Sequence, residues 1–456
     1  MKKIMIAALL SVCFLWAAGS PGPTISRSFA MESTPESAIA DIGRFPQNPF
    51  RYLTEQPNEP LIDPLVLEME AEAFRDSFFD PWSRSRPAHD KDAVMWAWKA
   101  FAPGDPSLVG SNLRPPGEAW FASMREQARM DCYGTLNERA ITVRETGLRN
   151  FPTEGPLFRD PSLPGEGFPF DYLQQTALKP GEPLFVSHLS QDEGWAFVES
   201  PQAAGWIDVR NMAFVDEGFV GKWLSRPLAA AVAEDIPLTS SGEGFLSRIG
   251  IGGLLPIERA SGSVGVLSVL VPFRASGGKA EFVAVDVPHE KVVPFPLEYT
   301  PWNMARIMSK MEGEPYGWGG LFGNRDCSGT IRDLFIPFGL WVPRHSSDQA
   351  ARGRRVALSD LSGAKKEEQI KRRGMPFRTL LWMPGHVMLY VGTFRGDIVL
   401  FHTFWGIRTI EGGREGRKVV GQAAFTSLEP GKELPEADPE GALLKRIESM
   451  TFLFAE

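Results

Sequence analysis

The sequence has 456 residues, 43% of them hydrophobic and 23% charged, enough for about three or four domains of ordinary globular make-up. A formal net charge of −8 excludes a general affinity for nucleic acid, which needs basic surface, and for an anionic membrane. The 38 prolines, 45 glycines and 13 tryptophans point to many turns and short strands rather than long helices.

At the N-terminus, Lys2 and Lys3 precede an apolar run from Ile4 to Ala18, and small residues follow. That is the layout of a secretory signal, and the run falls short of the roughly 20 residues a membrane span needs. A lipid anchor would need a small residue before Cys13, where Val12 stands. Cleavage without lipidation is therefore expected, near Gly19 or later near Ala30, and residues 1–30 are assigned to the signal. The exported chain would keep Cys132 and Cys327, a possible structural disulfide, and no stable membrane insertion is expected after cleavage. Residues 31–60 are rich in Pro, Ser and Glu and read as an extended lead-in. "PLVLEMEAEAFRDSFFDPW" and "GEAWFASMREQARMDC" carry apolar residues at helical spacing, so residues 31–150 form an N-terminal, partly helical segment.

From about residue 151 the pattern changes to short strands. "EPLFVSHLS", "GWAFVES" and "AGWIDVRNMAFV" suggest a small barrel over 151–220. A second set, including "VGVLSVLVPF" and "AEFVAVDVP", suggests another over 221–298. The last segment, 299–456, is mixed. "TPWNMARIMSKMEG" and "CSGTIRDLFIPFGL" read as helices, and "GHVMLYVG", "DIVLFHTFWG" and "MTFLFAE" as strands, which together describe an α+β domain. The charged stretch "KKEEQIKRRG" reads as a solvated helix rather than a binding patch.

The chemistry gathers around Cys327. Asp326 is a natural N-cap, Ser328 and Gly329 are small, and an apolar face begins at Ile331, so the thiol sits at the head of a helix. The unpaired N–H groups there lower a thiol pKa and stabilise an oxyanion. Of the six histidines, His386 opens one strand and His402 lies in the next. If Gly392 to Asp397 forms the turn between them, the two rings meet across the ladder, giving a nucleophile, a base and an orienting group. A zinc site from the same three residues is the competing reading, but no CxxC or HxxxH pair supports it; no metal and no cofactor is expected.

"YGWGGLFGNRDCSG", "PRHSSDQ", "PGHVMLYVG" and "FHTFWG" together resemble the NlpC/P60 cysteine peptidases of bacterial cell-wall metabolism, over about residues 300–455. The strand-rich stretches upstream resemble the bacterial SH3 domains found beside that peptidase. The resemblance implies a papain-like α+β catalytic domain behind two small SH3-like barrels. It implies Cys327 as nucleophile, His386 as general base and His402 as orienting residue. It also implies Tyr316, Asp326 and Ser328 at the oxyanion and substrate sites, with Trp318 and Arg344 as further binding candidates. The implied substrates are peptidoglycan stem peptides or muropeptides, cut at the γ-D-glutamyl bond to a diamino acid, in the periplasm or the cell wall. Two departures bear on specificity: His345 stands where many members have Asp, and "RTLLWMPGHV" lacks the usual acidic residue before the catalytic strand. In this subgroup a barrel restricts access near the free L-Ala end, and Asp192, Glu193 and Asp208 are candidates to meet that amine. A non-catalytic wall-binding protein and an acyl or thiol transferase with the same nucleophile remain as alternatives.

Overall fold

The computed structural model describes residues 39–53, 55–260 and 265–454; the expected signal segment and its cleavage sites lie outside them. The described chain is α+β, as the sequence implies, and consists of three larger antiparallel sheets, two two-stranded ribbons and the helices laid against them.

The long helix α1 (Pro64–Ser83) is started by Asp63, whose side chain accepts from Leu65 N, with Pro64 in the first turn. Its buried stripe, Phe74, Phe78 and Trp82, enters the same core as Met304, Met308, Ile331 and Leu334. Helix α2 (Glu118–Ala128) follows.

The first sheet has seven strands: β1 (Glu138–Thr142), β2 (Thr146–Arg149), β3 (Gln174–Leu178), β4 (Pro183–Leu189), β5 (Trp195–Glu199), β6 (Ala204–Asp208) and β7 (Met212–Phe214). Their spatial order is β3-β2-β6-β5-β4-β1-β7. It therefore begins ahead of the boundary at 150 drawn from the sequence. Glu138–Arg149 carries no Pro or Asn-Gly punctuation to mark its strands, so the composition shift appears only later. Trp82 Nε1 donates to Ala140 O at 2.7 Å, tying α1 to β1.

The second sheet runs β11-β10-β9-β8-β12, from β8 (Leu228–Ala231), β9 (Leu254–Ala260), β10 (Val266–Arg274), β11 (Ala280–Pro288) and β12 (Val292–Pro294).

The third sheet has six strands: β13 (Arg354–Ala357), β14 (Thr379–Met383), β15 (His386–Phe394), β16 (Asp397–Glu411), β17 (Arg414–Thr426) and β18 (Ser449–Phe452), in the order β13-β18-β14-β15-β16-β17. Helices α3 (Pro301–Met311), α4 (Cys327–Phe335) and α5 (Gly363–Arg373) accompany it. The segment before α1 clasps this sheet: Gln47 exchanges hydrogen bonds of 2.9 Å with both the N–H and the carbonyl of Phe425, and Asp41 accepts from Ser427 N and Oγ at 2.8 Å. Among the described residues, no helix is long and apolar enough to cross a membrane.

Candidate active site

Cys327 is the first residue of α4. It is buried and free; Cys132, half-buried, is free as well, so no disulfide joins them. The sequence reading of Asp326 as the N-cap holds: its Oδ1 accepts from Gly329 N at 2.8 Å. Thr330 ties the same helix to β16 through Thr403, Oγ1 to Oγ1 at 2.6 Å.

His386 and His402 meet, Nε2 to Nδ1 at 2.7 Å. The way they do so differs from the expected loop. The turn is only Arg395–Gly396, between the paired Phe394 and Asp397, and both residues have positive φ, as a two-residue primed turn requires. A bulge then shifts the register between Tyr390 and Gly392. Beyond it Leu389 pairs with Phe401, so one further step brings His402 level with Met388, two residues from His386 and on its face. Were Val391 drawn into the ladder opposite Leu400 instead of bulging, the register would slip by one and the side-chain period of two would turn His386 away from His402.

The relay continues past His402. Its Nε2 lies 2.9 Å from Thr426 Oγ1, and that hydroxyl donates to Ser427 O at 3.0 Å. Thr426 therefore accepts from His402 Nε2–H. A neutral His402 then has a bare Nδ1, which accepts from His386 Nε2–H and leaves the lone pair of His386 Nδ1 free. That is the form a base needs. Nothing in "REGRKVVGQAAFT" marks Thr426 in advance, because a second bulge, between Phe404 and Gly406, hides its register.

Burial decides the resting charges. The thiol of Cys327 is pushed up to about 12, first by desolvation and then by the Asp326 charge, against the Val387 N–H and Arg344. The imidazole of His386 is held down at about 4, first by desolvation and then by the Arg446 charge. His402 lies well below its ordinary value, through burial and then His386. The expectation that the helix head lowers the thiol pKa is thus corrected: both groups rest neutral, since burial outweighs the helix-head effect.

Cys327 and His386 line one cleft of about 390 Å³ together with Tyr316, Trp318, Phe170 and Trp405. Phe170, ahead of the first sheet's β3, stands 6.2, 5.2 and 5.8 Å from the rings of Tyr316, Trp318 and Trp405. Two expected residues, Tyr316 and Trp318, are on the wall. Asp326, Ser328 and Arg344 are not among the cleft-lining residues; they form a buried network behind Cys327. Arg344 holds Asp326 with Nη2 to Oδ2 at 2.6 Å, Ser328 Oγ with Nη1 at 2.8 Å and Thr176 Oγ1 with Nε at 2.8 Å. Their polar atoms are committed to one another. Burial alone would raise the Asp326 pKa, but Arg344 together with the Gly329 and Gly319 N–H groups outweighs it and lowers the carboxyl below its ordinary value. Asp192 and Asp208 also stay out of the cleft: Asp192 braces its own turn through Ser190 and Gly194, and Asp208 pairs with Arg210. Glu193, in that same turn, does not line it. The loop 165–170 was the part of the first sheet's region that sequence reasoning missed.

Gly319 and Gly320 let the two regions touch. Both have positive φ, and a Cβ on Gly320 would fall 2.8 Å from Ala177 N. Gln174 Nε2 donates to Gly319 O at 2.9 Å, and Trp318 Nε1 to Asp171 O at 3.0 Å.

Three sequence profiles match the chain: the NlpC/P60 stabilising domain, N term, over 7–133; the SH3 domain (SH3b1 type) over 156–208; and the NlpC/P60 family over 313–403, the stretch that holds Cys327, His386 and His402. The chain carries an NlpC/P60 domain. Its fold is similar to that of an NlpC/P60 endopeptidase from Photobacterium damselae subsp. piscicida, with a TM-score of 0.79, 24% identity, and 90% of this chain and 97% of that one covered. Two probable endopeptidases of Corynebacterium glutamicum are similar to short stretches. One is 36% identical over 78 residues, 17% of this chain, and the other 48% identical over 50 residues, 11% of it. The chain spans only 37% and 24% of the length of these curated relatives.

Proposed function

We propose that the protein is an exported cysteine endopeptidase that hydrolyses the γ-D-glutamyl bond to the diamino acid in peptidoglycan stem peptides, with residues 299–456 as the catalytic domain. The observation that carries this reading is the relay Ser427 O–Thr426–His402–His386, which leaves His386 Nδ1 unprotonated in the cleft that holds the thiol. Cys327 Sγ gives its proton to His386 Nδ1 and attacks the carbonyl carbon. The N–H groups at the head of α4 take the developing oxyanion, with the Tyr316 phenol, whose proton burial and the Asp326 charge hold in place. His386 then protonates the leaving amine, the C–N bond breaks and a thioester remains. Water, deprotonated by His386, attacks that thioester and frees Cys327.

The test is incubation of the pure protein with L-Ala-γ-D-Glu-meso-diaminopimelate, followed by mass spectrometry. Release of L-Ala-D-Glu is expected, and Cys327→Ala should lower turnover by at least about 10³-fold without loss of fold. A Cys327→Ala variant that stays fully active refutes the assignment.

A further inference from the structure

The cleft does not end at the aromatic cage. On the His386 side its wall is made by Met383, Gly385 and the short helix Leu443–Arg446. Four cations line the cleft: Arg408, Arg417, Lys432 and Arg446. The first three are committed. Arg408 holds Glu415 and Asp438 at 3.0 and 2.9 Å, Arg417 holds Glu415 at 2.7 Å, and Lys432 faces Glu429 at 3.6 Å. Arg446 has no ion pair among the described residues; its side chain is exposed and makes one long hydrogen bond of 3.5 Å, to Pro384 O.

The backbone that carries Arg446 is nevertheless fixed. The buried amine of Lys366 donates to Lys445 O at 2.8 Å and to Ile447 O at 2.6 Å, clamping the chain on both sides of it. A guanidinium on a pinned backbone, facing a cleft and without a counter-ion, is a preorganised anion site. Its charge is felt at His386, where it disfavours the imidazolium after burial.

The position selects the ligand. In a cysteine hydrolase the base that accepts the thiol proton later protonates the leaving amine, so the leaving group lies on the His386 side. We propose that Arg446 is a specificity-determining residue that binds a carboxylate of the leaving diamino acid. This rests on the hydrolase reading for which half of the substrate sits there, and it adds the requirement for a negative charge on that half.

The experiment uses L-Ala-γ-D-Glu-meso-diaminopimelate and the same peptide with both diaminopimelate carboxylates converted to carboxamides. Binding is measured by calorimetry on Cys327→Ala, and hydrolysis on the active enzyme. Cys327→Ala should bind the acid form about ten- to a hundredfold more tightly, Cys327→Ala/Arg446→Gln should bind both forms alike, and Arg446→Lys should restore part of the preference. In the active enzyme, Arg446→Gln should lower kcat/KM for the acid form relative to the amide form by about ten- to a hundredfold. A preference that survives in the Gln variant, or its absence from Cys327→Ala, overturns the proposal. If the preference and its loss are seen but the active enzyme cleaves neither peptide, the hydrolase reading fails and the anion site stands. If both forms are cleaved with equal efficiency whatever stands at 446, the anion site fails and the hydrolase reading stands. Binding of neither peptide overturns both.

Discussion

The regions of the first and second sheets both meet the Cys327 helix, yet they do different work there. The first reaches the front. The loop ahead of β3 puts Phe170 into the cleft, Gln174 holds Gly319, and Thr176 receives Arg344, which in turn holds Asp326. The region of the second sheet reaches only the back: Glu234 pairs with Arg325 at 2.7 Å, Ile251 O accepts from the same guanidinium at 3.2 Å, and Gly252 presses against Asp333. Two neighbouring β modules can thus divide one task, one shaping the cleft wall and the other bracing the helix behind the thiol.

That division can be broken experimentally. Arg344→Ala severs the front connection and leaves Asp326 buried without its partner, so a loss of about 3–5 kcal/mol is expected in the urea midpoint, with activity falling alongside. Phe170→Ala removes ring area from the cleft wall and should raise KM about tenfold while the unfolding midpoint hardly moves. If KM is unchanged, the first sheet does not shape the site. Glu234→Gln should do the reverse. Arg325 keeps Asp333 at 2.8 Å, so a loss of about 1 kcal/mol is expected in stability with KM as in the parent.

The pH profile sharpens the same contrast. His386 is held at about 4 chiefly by burial, so kcat/KM should persist below pH 6 and fall as pH drops through about 4. Its contribution to stability has the same sign. Since the folded value lies below the ordinary one, that contribution is complete above about 6.5 and is lost as pH falls toward 4. Opening the cleft with Phe170→Ala should move the acid limb of kcat/KM upward, whereas Glu234→Gln should leave it in place.

What the sequence made legible was local. Asp326 as a cap, Cys327 as the first helical residue and Ile331 as the start of the apolar face are separated by a turn or two of helix, and helical periodicity carries that far. The meeting of His386 with His402 was also within reach, because a short hairpin joins them. The network behind Cys327 was not: Thr176 and Arg344 lie 168 residues apart, and no spacing rule connects them. Arg344, Asp326 and Ser328 looked like substrate anchors because they are polar and near the thiol; only the packing shows that they satisfy each other. Phe170 carried no signal, since an aromatic in a Pro- and Gly-rich loop reads as ordinary surface until the loop is seen folded over the cleft.

The pairing beyond the bulge makes the β15–β16 hairpin sensitive to the length of chain between Leu389 and His386. Excising Val391 would cost core packing but leave the same pairs in a more regular ladder, with both imidazoles still on one face. Excising Val387 or Met388 would instead step residue 386 along by one place and deliver its imidazole to the wrong surface. A lineage that lost one of those codons would keep both histidines in its sequence with their rings apart, so counting such residues in a relative is not enough; the length of the strand between them has to be counted too.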